Sequence, residues 1–181
     1  MKNRLILLFG LFAAANQSTA QYTPSDQGST IKFTINNFGF GVDGSFAGLQ
    51  GSIDFDPQNP AAGKFDVSID AASVNTDNSL RDSHLRNDGY FDVKNYPRIR
   101  LVATRIDPTE KAGAYRFTGQ LTIKKTTLPV SFPFTVTPAG GGLDFKGSFT
   151  IKRKDFDVGG TSTISNELTV SLHVTATKSN P

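Results

Sequence analysis

Apolar and polar residues alternate through most of this chain. Ile31, Phe33 and Ile35 are separated by Lys32, Thr34 and Asn36, and the same period of two continues in Leu49, Gly51, Ile53 and Phe55. It recurs in Phe65, Val67, Ile69 and Ala71, in Ile99, Leu101 and Ala103, and in Tyr115, Phe117, Gly119, Leu121 and Ile123. Three more runs follow: Val130, Phe132, Phe134 and Val136; Leu143, Phe145, Gly147, Phe149 and Ile151; Leu168, Val170, Leu172, Val174 and Ala176. A strand turns successive side chains to opposite faces, so each run predicts a strand with one apolar and one polar face. Eight strands result, most of them divided by turn-forming stretches such as Asp56-Pro57 through Gly63, Asp107-Pro108 through Gly113 and Pro138 through Gly142. Helical periodicity is almost missing. Short-looped antiparallel strands without the strand–helix–strand spacing of a parallel sheet predict an up-and-down all-β barrel or a sandwich, and an eight-stranded antiparallel barrel is favoured because closure removes exposed edges.

Two details refine the pattern. The apolar phase slips by one between Phe46 and Leu49, which predicts a bulge. Gly44, Gly48, Gly51, Gly119 and Gly147 fall inside or beside strands, as expected for bends, bulges, space left inside, or tightly packed sheets. Only residues 77 to 86 break the alternation. They predict a short helix between strands 3 and 4, capped by Thr76 or Asp77, with Leu80, His84 and Leu85 turned to the barrel. Asp77 with Arg81 and Asp82 with Arg86 are spaced as i,i+4 pairs, and Gly89 is placed to end the helix.

The first residues belong to a different regime. Lys2 and Arg4, an apolar run from Leu5 to Ala15, and then Ser18-Thr19-Ala20 have the layout of a secretory signal peptide. That run is too short to span a bilayer. Residues 1–20 are therefore expected to be cleaved, leaving one domain over residues 21–181 in the periplasm or secreted space. Loss of Lys2 and Arg4 lowers the formal charge from +3 to +1, so no basic surface for nucleic acid is expected. With no cysteine, the fold uses no disulfide, and thiolate zinc sites and cysteine nucleophiles are excluded.

Candidate chemistry concentrates in RDSHLRNDGYFDVKNYP, residues 81 to 97, which sets His84 among Arg81, Asp82, Arg86, Asp88 and Asp92. No nucleophile elbow accompanies His84, and the aspartates lack the register of a calcium loop. His173 falls on the polar phase of the last strand and is expected to face solvent. A cluster of salt bridges on a helix surface and barrel rim is the simpler reading. The apolar inventory says more. Of the 15 Phe, Phe9 and Phe12 lie in the signal segment, and there is no Trp. Phe brings large apolar area with no donor to satisfy. Such a barrel is either filled by its own side chains or encloses a dry cavity for a hydrocarbon chain, each buried methylene contributing about 0.8 kcal/mol.

The stretches IDAASVNTDNSLRDSHLRNDGYFDVKNYPRI, GQLTIKKTTLPVSFPF and FTIKRKDFDVG resemble the YceI-like family of polyisoprenoid-binding proteins. The resemblance runs from STIKFTINNFGF to ISNELTVSLHV, and its most specific piece is Arg81-Asp82-x-His84-Leu85 with Tyr90-Phe91-Asp92-Val93 and Tyr96-Pro97. It implies a lipocalin-like barrel, exported in bacteria, that holds a polyprenyl chain or isoprenoid quinone and uses no other cofactor. Lys125 and Asp157 stand where the family usually has glycine, which puts local turn geometry in question. The residues expected to meet the ligand are Phe33, Ile35, Phe38, Phe46, Leu49, Phe55, Val67, Ile69, Leu80, His84, Leu85, Phe91, Leu101, Phe117, Leu121, Phe132, Phe134, Phe145 and Phe149. No catalytic or metal-ligating residue is expected, nor stable membrane insertion; a homodimer is left open. Two other functions remain on the sequence: an enzyme acting on a lipid with His84 as general base, and a filled barrel serving as a stress-protective interaction module.

Overall fold

The computed structural model describes residues 20–161 and 163–179. The signal-peptide segment, apart from Ala20, lies outside the described residues. Eight antiparallel strands form one closed barrel in sequence order: β1 (Gln21–Asn37), β2 (Phe40–Asp54), β3 (Lys64–Asn75), β4 (Arg98–Pro108), β5 (Ala114–Ile123), β6 (Thr126–Ala139), β7 (Gly142–Lys152) and β8 (Ile164–Lys178). β1 pairs with both β2 and β8, which closes the ring. The alternating positions fall as the sequence predicts: along β5, Tyr115, Phe117, Leu121 and Ile123 are buried between outward-facing polar neighbours.

The predicted phase slip is a bulge in β2, where the register with β3 shifts on both sides of Ala47. Gly48 takes φ +72°, a left-handed value that side chains with a Cβ disfavour. Its N–H and that of Leu49 donate to the Asp26 carboxylate, each at 2.9 Å, and its carbonyl accepts from Arg98 Nη2 at 2.7 Å. Gly44 serves the cavity directly. It lies opposite Phe33, and a Cβ there would come within 2.2 Å of the Phe33 ring. Glycine lets that ring lie flat on the neighbouring strand.

β6 and β7 pair only from Phe134–Gly147 to Ala139–Gly142, so the first half of β6 has no partner on that side. The backbone explains the gap. Val136 donates its N–H to Gly113 on the β5 side, and along a strand alternate residues aim their N–H to opposite neighbours. Pro129 and Pro133, of the other parity, remove donors that would have faced β7. Phe156 and Val158, from the tight helical turn Arg153–Phe156 and the loop after it, are buried and pack with Leu128, Val130, Phe149 and Ile151 beside this gap.

α1 (Ser79–Arg86) lies between β3 and β4, two residues shorter at its start than predicted. Asn78, not Thr76 or Asp77, caps it, its side chain accepting from the Arg81 N–H at 3.0 Å. Asn87 rather than Gly89 ends it.

Candidate functional site

The interior divides into two halves. At the end holding the β2–β3, β4–β5 and β6–β7 turns, aromatic rings fill the barrel. Phe55 sits edge-on to Phe65, Tyr115 and Phe145, with centroids 5.1–5.9 Å apart, and Phe65 contacts Phe117 and Phe134. Toward α1 the packing opens. Phe33, Ile35, Phe46, Val67, Leu101, Phe149 and Val170 point inward yet are only half-buried. Space, rather than another side chain, meets them.

That space is a cavity of about 520 Å³, within the range of small-molecule sites. Of the residues expected from sequence, Phe33, Ile35, Phe46, Leu49, Val67, Ile69, Leu80, His84, Leu85, Phe91, Leu101, Leu121 and Phe149 line it. Six do not. Phe55, Phe117, Phe132, Phe134 and Phe145 lie in the packed aromatic half, because apolar phase fixes the face of a strand but not the depth along it. Phe38 lies in the β1–β2 turn and is 73% exposed. The lining also includes aliphatics not singled out from sequence: Ile31, Val42, Ile99, Ile123, Ile151, Leu168, Val170, Leu172 and Val174. The β8 alternation already marked four of these as inward-facing.

A column of rings joins the halves. Phe117 stacks on Phe132 at 4.8 Å, and Phe132 stacks on Phe149 at 4.5 Å, so Phe149 brings the end of the packed half into the cavity wall. Behind it a small pocket of about 50 Å³ is lined by Phe65, Phe117, Phe132, Phe134 and Phe145 with Val67, Leu101, Leu172 and Val174. The last four side chains also line the main cavity, so the two spaces adjoin.

The polar groups gather at the α1 end. Thr76 is the hub of a buried clamp: its hydroxyl donates to Asp82 at 2.5 Å and accepts from Arg81 Nε at 2.7 Å. Its N–H also donates to Asp82 at 2.9 Å, while Arg81 Nη2 donates to its carbonyl at 2.6 Å. Arg86 donates to the carbonyls of Ala72 and Val74 at 2.7 and 2.8 Å. The i,i+4 ion pairs expected within α1 therefore do not form. Pairing of β3 with β4 stops at Asp70–Arg98, and the carbonyls beyond it need donors. The two arginines supply them, and Asp82 turns inward to Thr76 instead.

The chain after α1 closes the wall. Phe91 meets Phe46 edge-on at 5.4 Å, and Tyr90, Phe91 and Val93 pack into the same cluster as Phe156 and Val158. Lys124 knots three loops together, its Nζ donating to the carbonyls of Asp157 at 2.7 Å and Asp88 at 3.3 Å. Left-handed backbone falls on Lys124 (φ +53°), one residue before Lys125, and on Asp157 (φ +56°). Aspartate tolerates that region better than most side chains, so Asp157 holds a turn where glycine is the usual choice. Arg153, 5% exposed, donates to the carbonyls of Val158, Gly159, Gly160, Ile164 and Ser165 and fixes the loop leading into β8. Nothing in the sequence alone singled out Lys124 or Arg153, because both donate to backbone carbonyls, which leave no side-chain pattern; Thr76, expected as a helix cap, instead joins Asp82 to Arg81.

His84 is exposed on the rim of the cavity, and no side-chain hydrogen bond reaches it among the described residues. His173 faces outward as expected, with Nε2 3.1 Å from Asp144.

The comparisons agree with this architecture. A family model for the YceI-like domain matches residues 22–176. A UPF0312 protein of Yersinia enterocolitica is 33% identical over 157 residues, covering 82% of this chain and 81% of its own. The crystal structure of BcnA from Burkholderia cenocepacia superposes with a TM-score of 0.80 at 28% identity, covering 85% of this chain and 99% of that one. A domain from Saccharophagus degradans, described as polyisoprenoid binding, has a TM-score of 0.70 at 16% identity over 89% of this chain and 99% of its own, a likeness of fold. With the eight-stranded barrel, the α1 crossover and a family match across nearly all of the described strands, the chain belongs to the YceI-like family.

Proposed function

We propose that this protein binds a polyisoprenoid or isoprenoid-quinone-type lipid in its cavity, to carry, store or sequester it in the periplasm or secreted space. One observation carries the reading: aromatic side chains fill one end of the barrel, while the other end encloses a cavity of about 520 Å³ walled by aliphatic and aromatic side chains. Burying a hydrocarbon chain there gains about 25 cal/mol per Å² of apolar surface without any ion pair. The volume suits a chain of roughly 17 non-hydrogen atoms if each takes about 30 Å³, the share of a water in its liquid. A longer polyprenyl tail would leave part of its length or its head group at the rim, beside His84 and Arg81. The description of the Saccharophagus domain as polyisoprenoid binding points to the same class of ligand.

The reading is of a binding protein rather than an enzyme. What supports it is that the clamp uses Asp82 and Arg81 to hold backbone and Thr76, leaving His84 without an orienting carboxylate or a hydroxyl to activate. Export is part of the proposal. β1 begins at Gln21, so cleavage after Ala20 would spare the barrel, and N-terminal sequencing of the exported protein is expected to start there.

Phe149→Trp provides the test, since the chain has no other tryptophan. Titrating delipidated F149W with geranylgeraniol should shift or quench its emission saturably. Mass spectrometry of an organic extract of the wild-type protein should then identify a bound isoprenoid lipid. Emission indifferent to the lipid, with the fold intact, would remove the basis of the proposal.

A further inference from the structure

Among the described residues the exposed large hydrophobics are Phe38 (73%), Phe40 (77%) and Leu80 (70%). All three stand at the open end of the barrel. Leu80 lines the cavity edge from α1, and Phe38 and Phe40 form the tip of the β1–β2 hairpin, flanked by Asn37 and Val42 of the lining. The described residues of the packed end carry no counterpart.

Folding gives no reason for the hairpin tip. Phe38 (φ +52°) and Gly39 (φ +83°) are both left-handed, as a two-residue turn of the I′ type requires. Asn, Asp or Gly suits the first of these positions, whereas phenylalanine is disfavoured there. Phe38 thus weakens its own turn while burying little of its ring. The cost makes sense if the ring is buried against something else.

We propose that this apolar rim docks the open end of the barrel onto a lipid bilayer, with Phe38 and Phe40 inserting at the level of the head groups. The inference rests on the lipid-binding reading, which requires a ligand to cross between membrane and cavity. Phe38, Phe40 and Leu80 would bring the cavity mouth to the surface where a polyprenyl chain resides. Size argues against a second copy as the occupant. With about 150–250 Å² per aromatic side chain, the rim offers roughly 400 Å², about half of the ~800 Å² per partner in a stable interface. A projecting tip of two rings is also the shape that enters an interface shallowly. Exposed charges at that end are of both signs, with Lys94, Lys125 and Lys154 beside Asp88, Asp155 and Asp157, so docking does not call for anionic lipid.

The test compares the wild type with the double variant Phe38→Asn, Phe40→Ser. Asn at position 38 suits the turn, so the variant is expected to fold at least as well. Co-sedimentation with phosphatidylcholine–phosphatidylethanolamine vesicles should fall by about tenfold or more in the variant, and should change little with salt in the wild type. In vesicle-free buffer, displacement of the dye N-phenylnaphthylamine by geranylgeraniol should be the same for both proteins. Equal sedimentation of both proteins overturns docking, as does a wild type that ignores vesicles. Sedimentation equilibrium showing a dimer that the variant loses would overturn it in favour of self-association. A dye and lipid that fail to bind either protein would instead strike the cavity reading, leaving the vesicle measurement to speak for the rim alone.

Discussion

Phe145 and Phe149 lie on the same face of β7, yet their surroundings differ. Phe145 is 6% exposed and wedged against Phe55 and Phe65, whereas Phe149 is half-buried, stacked on Phe132 on one side and open to the cavity on the other. Phe145→Trp should therefore overpack the core and cost about 1–3 kcal/mol in a urea melt, with emission that ignores added lipid. Phe149→Trp should cost less and report the ligand. The alternation in sequence placed both rings inward correctly but could not rank them by depth. Depth depends on strand tilt and on where neighbouring strands leave a gap, neither of which is written locally. Phe38 shows the same limit at a turn: its apolar character was legible, but not that φ +52° would aim it away from the interior.

At the scale of elements, α1 was legible from the break in alternation, while the partners of its charges were not. An i,i+4 ion pair on a helix surface contributes about 0.2–0.5 kcal/mol, whereas a buried carbonyl left without a donor costs about 1–3 kcal/mol. Magnitude decides the outcome: Arg81 and Arg86 go to the edge of β3, and Asp82 goes to Thr76. Asp82→Ala should then cost about 3 kcal/mol, having removed two hydrogen bonds to a buried charge. Denaturant unfolding would measure the loss. Thr76→Val, which keeps volume and removes the hydroxyl, should cost less, because the backbone bonds of Thr76 survive. If Asp82→Ala were as mild as removal of a surface ion pair, below about 0.5 kcal/mol, the clamp would have no energetic role.

For the whole molecule, period-two runs and short turns favoured an eight-stranded barrel over a sandwich and marked its one helical crossover; the ring closes in sequence order because antiparallel neighbours in sequence are neighbours in space. Its response to acid follows from two carboxylates outside the cavity. Hydrogen bonds from Thr175 and then His173 lower the Asp144 pKa below its ordinary value of 3.8, and a hydrogen bond from Arg100 lowers that of Asp66. Depressed carboxylates stabilise the fold above their unfolded pKa, and that contribution is lost as pH falls through the folded values. The melting temperature should thus hold from neutral pH to the unfolded carboxylate range and fall below pH 3.8. Asp144→Asn should flatten that fall in a thermal melt series. Barrel pairing is interrupted between β6 and β7, along the stretch where Pro129 and Pro133 face β7. A strand edge with free donors and acceptors is a template on which another chain can add. During folding, before Phe156 and Val158 settle into place, that edge of β6 would be exposed. The prolines deny an incoming strand two of its hydrogen bonds. Replacing both with valine should leave the finished barrel closed but raise light scattering on refolding, as the seam becomes a site of aggregation.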